Sequence, residues 1–210
     1  MLLAIDTSAG TGVALVEGDV ILAERVVEDT RRHAEVIGSL VTECLADAGV
    51  AVAALTGIAV GMGPGPFTGL RVGIAAANAF ALGAQKPLLR VASHDAIAFG
   101  HYASGGGGAL LVTTDARRRE RYWSAFSGCD EHFLPVRSAG PGIVRPDALE
   151  SELPDHAHHI RLDAEWVSAG AVGRLAERMA AHGRDFAGRS PLYLRSPDVT
   201  LSAGPKRVTA

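Results

Sequence analysis

The chain begins with an apolar run at residues 2–5 that stops at Asp6-Thr7-Ser8. After Gly10 and Gly12, residues 13–16 are apolar again. Glu17-Gly18-Asp19 forms a turn, and residues 20–27 resume a strand-like pattern. Three short strands joined by glycine-containing turns predict an antiparallel meander. From about 32 to 48 the period changes: Ile37, Leu40, Val41, Cys44, Leu45 and Ala48 recur at helical spacing, with Gly49 as the C-cap. Residues 58–60 predict a buried strand, 68–85 a second helix with Thr68 as its N-cap, 88–91 a strand and 93–99 a short helix. Gly105 to Gly108 are four consecutive glycines, which suit neither helix nor strand, and mark the best lobe boundary. Beyond them, 109–114 and 122–126 predict strands around a polar turn. Residues 128–163 read as irregular, 171–181 as a helix, and the end of the chain as a frayed polar tail. The expected organisation is an N-terminal lobe over 1–104 and a smaller lobe over 105–210, α/β throughout with mixed sheets flanked by helices. No internal sequence repeat is apparent.

Composition narrows the function classes. The 210 residues are 48 % hydrophobic and 20 % charged, ordinary for a globular chain that buries a core. A formal charge of −3 argues against a protein that coats nucleic acid by electrostatics alone. Cys44 and Cys129 form no CxxC pair, which fits a reducing compartment. The start MLLAIDTS lacks the features of a signal peptide, and the apolar run over 72–84 is too short to span a bilayer, so a cytoplasmic protein with no membrane contact is expected.

The stretch GMGPGPFTGLRVG, residues 61–73, is the densest motif, with five glycines and two prolines in thirteen residues. It is not a Walker A loop, because no lysine follows the glycines. The spacing Gly63-x-Gly65-x-x-x-Gly69 is one residue too long for the dinucleotide fingerprint, and Pro64 and Pro66 remove two N–H groups that would face an anion. A tight strand-to-helix turn explains it better. Asp6, Thr7 and Ser8 stand open between two readings: a metal- and phosphate-holding turn, or a plain turn closing the strand. No metal site is expected, since HExxH is absent and His33-x-Glu35 has no PCxxC after it. No catalytic residue is expected either: there is no GxSxG elbow, and Cys44 lies on an apolar helix face. Arg117-Arg118-Arg119-Glu120-Arg121 is either a solvated hairpin loop or a contact for RNA phosphate or an acidic partner. In the second helix Arg71, Asn78 and Gln85 form one narrow polar stripe and nearly everything else is apolar or small. Such a helix needs burial on more than one side, against the first helix or against another chain.

The segments LLAIDTS, RRHAEVIGSLVTECL, IAVGMGPGPFTGLRVGIAAANAFAL, TTDARRRERYWSAF and PLYLR together resemble the TsaB (YeaZ) family across nearly the whole chain. The resemblance implies a two-lobed actin-like fold (ASKHA, ribonuclease-H-like) and a role in making threonylcarbamoyladenosine beside the tRNA anticodon. It implies a non-catalytic subunit that dimerises with a TsaD-type transferase and meets a TsaE-type ATPase through the complex, with tRNA reached only indirectly. A homodimer through the same surface is the other expected assembly. No cofactor is expected on the isolated chain; ATP or ADP would sit at an interface of the complex. The family's dimer surface is built from the first two helices, which places Ile37, Val41, Arg71, Val72, Ala75 and Ala79 near the contact. TsaD-type proteins carry an HxxxH metal pair where this chain has Ser93 and Ile97, and His94 alone cannot replace it. The family usually has serine at the position of Pro66, which weakens any ligand role for the loop. The enzyme rivals are an actin-like metallopeptidase or small-molecule kinase, the latter needing ATP at Asp6, Thr7 and Ser8.

Overall fold

The run LLAID can be buried on both faces only at the centre of a sheet with helices on either side. It takes that place in a computed structural model, which describes residues 1–29 and 31–195. β1 (Leu2–Asp6) is buried at every position. It pairs antiparallel with β2 (Thr11–Glu17), which pairs antiparallel with β3 (Val20–Val27). On its other edge β1 pairs parallel with β4 (Gly57–Gly61), and β4 with β5 (Leu88–Val91). The strand order is therefore β3-β2-β1-β4-β5, and it carries the expected meander at one side. The helices of this half are α1 (His33–Asp47), α2 (Phe67–Ala84) and α3 (Ser93–Ala103).

The second sheet has the order β8-β7-β6-β9, from β6 (Leu110–Asp115), β7 (Arg121–Cys129), β8 (Pro135–Val144) and β9 (Ile160–Asp163). Strands β6, β7 and β8 form an antiparallel meander, and β9 joins β6 in parallel. This repeats the pattern of the first four strands of the other sheet, although the two halves share no visible sequence repeat. Strands β8 and β9 lie in the region expected to be irregular. β8 contains Pro135 and Pro141 and sits at the sheet edge, with its register against β7 broken in three places. Edges and bulges are where a strand tolerates proline. Two short 3-10 turns and α4 (Leu149–Glu152) connect β8 to β9, and α5 (Ala169–Ala181) follows.

Alternation along the strands divides the core in two. Leu3, Ile5, Val13, Leu15, Ile58 and Val60 pack with α1 and α2. Leu2, Ala4, Ala14, Val16 and Ala59 face the other way, toward Phe99 of α3 and Val172, Leu175 and Ala176 of α5. The tetraglycine segment separates the two sheets, but α5, from the C-terminal half of the chain, returns to cover the first. The frayed tail expected after Arg195 lies outside the described residues.

The start of α5 is capped twice. Ser168 Oγ accepts from Ala171 N (3.0 Å), and Glu24 Oε1 of β3 accepts from Ser168 Oγ (2.8 Å) and Gly170 N (3.0 Å). A carboxylate there meets both the unpaired N–H groups and the positive end of the helix. Glu24→Ala should therefore lower the unfolding free energy by about 1–2 kcal/mol in urea titration. A loss indistinguishable from that of Glu28→Ala would show the cap to be idle.

Candidate functional site

Strand β1 delivers Asp6 into the base of the glycine-rich loop, and the loop closes over it. Asp6 Oδ1 accepts from Ser8 N (2.8 Å) and Ser8 Oγ (2.5 Å). Asp6 Oδ2 accepts from Ser93 Oγ (2.6 Å), the first residue of α3, and Ser93 Oγ accepts in turn from Gly63 N (3.0 Å). Thr7 Oγ1 donates to the carbonyl of Gly69 in α2 (2.8 Å). Asp6, Thr7 and Ser8 are only 2 %, 2 % and 4 % exposed. Their polar atoms bond one another and the loop. The three residues form the closed turn, and they pin β1, the loop and α3 together.

This closeness explains the glycines. A Cβ at Gly61 would lie 1.7 Å from Asp6 Oδ2 and 2.7 Å from Ser93 Oγ, and one at Gly73 would lie 2.1 Å from Thr7 Oγ1. The loop residues are small because β1 comes up against their backbone. The N-cap position of α2 is Pro66, with no side-chain cap; Thr68, expected there, lies in the first turn.

Burial pushes the Asp6 carboxyl above its ordinary range, against the opposing pull of the Ser8 and Ser93 hydrogen bonds. A carboxyl that holds its proton better folded than unfolded adds stability while protonated, and that contribution declines as pH rises from about 4 through the folded value. The stability difference between the wild type and Asp6→Asn should therefore fall as pH rises from about 4. A difference that stays flat, or grows with pH, would contradict the buried, hard-to-ionise carboxyl. Beyond Ser8 and Pro66 opens a cleft of about 570 Å³ whose charged lining is Glu28, Asp29, Asp115 and Glu165 against Arg31 and Arg117. Four carboxylates against two guanidinium groups suit a polyphosphate poorly.

The position of the HxxxH pair is also structural here. Ser93 bonds Asp6. His94 turns into the second sheet, where its ring nitrogens bond Ser124 Oγ (2.9 Å) and Thr114 Oγ1 (3.0 Å). Burial, aided by Arg137, pushes His94 down to about 3, so the ring stays neutral at physiological pH. Cys44 Sγ donates to the Val13 carbonyl (3.3 Å), and burial pushes its thiol up to about 11, in keeping with packing. His33 of the His-x-Glu motif bonds Thr11 Oγ1 (2.7 Å) inside the chain.

Helices α1 and α2 divide the expected contact residues. Ile37 and Val41, each 9 % exposed, belong to the chain's own core and are not available to a partner. Spacing gives α1 one apolar stripe, and the sheet takes it. Outward on α1 are the small or polar Ala34, Gly38, Ser39, Thr42 and Ala46 together with the charged Glu35, Glu43 and Asp47. On α2 the inward side is Gly69, Leu70, Gly73, Ala77 and Ala81. Arg71, Ala75 and Ala79 are exposed and Val72 is half-buried. Leu82, on the same helix, is 81 % exposed, the most exposed of the large apolar side chains described. The eighteen-residue helix is long and apolar enough by composition to cross a membrane, yet one side of it is built into the first sheet.

One element of this face was not legible as such. The PLYLR segment runs back across the glycine loop: Leu192 N donates to the Met62 carbonyl (2.9 Å), and the Tyr193 ring lies 4.8 Å from that of Phe67. Arg71 sits over Phe67 (3.8 Å), and its Nε donates to Tyr193 Oη (3.3 Å). The one signal for it in the sequence is the apolar Leu192-Tyr193-Leu194 run at the start of the tail.

Comparison with known proteins places these features. The family model of TsaD, tRNA N6-adenosine threonylcarbamoyltransferase, matches residues 20–141. An uncharacterised protein of Mycobacterium tuberculosis is 37 % identical over 93 % of this chain and 92 % of its own. The tRNA threonylcarbamoyladenosine biosynthesis protein TsaB of Escherichia coli is 28 % identical over 96 % of this chain and 81 % of its own. The solved structure of YeaZ from Pseudomonas aeruginosa superposes with a TM-score of 0.72 at 26 % identity, over 92 % of this chain and 99 % of that one. Its fold is thus that of the YeaZ structure, two sheets flanked by helices, and the chain belongs to the TsaB (YeaZ) family.

Proposed function

We propose that the chain supports tRNA threonylcarbamoyladenosine synthesis as a non-catalytic subunit that pairs with a TsaD-type transferase. The names of its relatives support the pathway. The observation that carries the pairing is the exposed small and apolar face of α2, Ala75, Ala79 and Leu82 beside the polar stripe of Arg71 and Asn78. Small residues let a second helix approach closely, and a large aliphatic side chain left in water gains about 2 kcal/mol when covered. The outward face of α1, with Ala34, Gly38 and Thr42, would widen that surface. The same face could pair with a second copy of the chain, which competes with the heterodimer.

The non-catalytic part is supported by what occupies the family's chemical positions. Ser93 and Ile97 supply no metal ligands where HxxxH would stand, and Asp6, Thr7 and Ser8 spend their polar atoms on the fold. The isolated chain then needs no cofactor. ATP or ADP would sit at an interface of the complex, where a TsaE-type ATPase joins in the cytoplasm. Two measurements test this. Co-expression should recover a stable complex with the TsaD-type protein; a chain that stays monomeric beside it would refute the pairing. Calorimetry with ATP and magnesium should show no binding to the isolated chain, whereas binding with turnover would favour a small-molecule kinase.

A further inference from the structure

The turn between β6 and β7 carries Arg117, Arg118 and Arg119 in succession, all with left-handed backbone at φ 63°, 55° and 61°. Side-chain-bearing residues avoid this region, and glycine would relieve each position. The turn is nonetheless well bonded: Arg117 N donates to Asp115 Oδ1 (3.0 Å), Glu120 N to the Arg117 carbonyl (3.0 Å), and Ala116 N to the Glu120 carbonyl (3.0 Å). Backbone strained in this way and held in place recurs at binding sites.

Two concavities flank the turn. One, of about 610 Å³, has Arg118, Arg119, Arg121 and Arg145 in its wall. The other, of about 450 Å³, is walled by Phe67, Tyr122 and Tyr193 together with Arg117, Arg118 and Arg195. Three of these arginines are paired within the chain: Arg195 with Glu120, Arg121 with Asp163 (3.2 Å) and Arg117 with Asp115 (3.8 Å). Arg119 and Arg145 are exposed and have no ion pair among the described residues. The two cavities are lined by six arginines (Arg117, Arg118, Arg119, Arg121, Arg145 and Arg195) against Asp115, Glu120 and Asp147, an excess of three positive charges within them, whereas the adjoining cleft that shares Arg117 and Asp115 is acidic.

We propose that this arginine turn, with Arg145, is a direct contact for the phosphate backbone of RNA, with the aromatic cavity beside it taking an unpaired base. Guanidinium groups bind phosphate oxygens in pairs, and aromatic faces stack bases from single-stranded loops. Phe67 and Tyr193, half-buried beside the arginines, can stack a base, which favours RNA over a ligand recognised by its carboxylates alone; Tyr122 is buried behind them. The inference rests on the tRNA pathway proposed above, and it changes one point of it: the chain touches tRNA itself.

Fluorescence anisotropy with a labelled tRNA transcript tests it, using the full chain alone and in complex with its TsaD-type partner. Arg119→Ala with Arg145→Ala should weaken binding about 10-fold and make the salt dependence shallower, by roughly 0.7–0.9 in log–log slope for each phosphate no longer engaged. Arg119→Gly should weaken binding too while melting no lower than the wild type, because it relieves a left-handed residue. Lys86→Gln, at the far end of the first sheet beside Ala53, should change neither. Unchanged affinity and slope in the double variant would overturn the proposal. So would failure of both chain and complex to bind the transcript, or equal competition by a polyglutamate peptide. An unaltered slope, in cells whose tRNA modification still depends on the chain, removes this contact alone. Modification that survives depletion of the chain removes the pathway reading, whatever the slope.

Discussion

Gly61→Ala should destabilise the chain by roughly 3 kcal/mol or more, a large share of the stability of an ordinary domain. The new Cβ would fall 1.7 Å from Asp6 Oδ2 and 2.7 Å from Ser93 Oγ, inside a site with no room to give. Relief requires moving the Asp6 carboxyl, and that breaks its bonds to Ser93 and Ser8. Each buried polar group left without a partner costs about 1–3 kcal/mol. Gly38→Ala, in the interior of α1 with open space around it, is the matched comparison. It should raise stability by about 0.5–1 kcal/mol. Urea denaturation of both variants checks this. A Gly61→Ala chain within about 1 kcal/mol of the wild type would mean that the loop is not packed on Asp6 as described.

Ala79→Arg combined with Leu82→Arg should leave the isolated chain as stable as before, within about 0.5 kcal/mol per site, because both residues are exposed. It should weaken pairing with the TsaD-type protein by about 100-fold or more, since two charges would be buried in an apolar contact. The two halves of this expectation separate a surface role from a folding role. Ile37→Ala and Val41→Ala should behave in the opposite way. They lose stability through the core, and pairing only as far as the chain unfolds. Retained pairing in the double arginine variant would move the interface off α2.

Much of the fold could be read from pattern. The meander, α1, α2 and α5 follow from periods of two and 3.6 and from glycine punctuation. β8 could not be read, because PVRSAGPGIV breaks alternation with two prolines that only an edge strand and its bulges accommodate. The return of α5 to the first sheet is a tertiary fact with no local signal. For the site, spacing identified the exposed stripe of α2 but not the direction of α1: Ile37 and Val41 share a face, and only the packed sheet says that the face is inward. The glycine loop showed its dependence on small residues in the sequence. What demands them, the buried Asp6, Thr7 and Ser8 turn, is brought there by the parallel pairing of β1 with β4. Leu82 was hidden for a simpler reason: a leucine in an apolar helix reads as core until the neighbouring elements are placed.

In the proposed role this chain supports threonylcarbamoyladenosine formation through the outward face of α2. Mass spectrometry of tRNA nucleosides after depletion of the chain, with rescue by the wild type or by the Ala79→Arg, Leu82→Arg variant, tests it most directly. Threonylcarbamoyladenosine should fall on depletion, return with the wild type and stay low with the variant; an unchanged level on depletion, or full rescue by the variant, would refute the role.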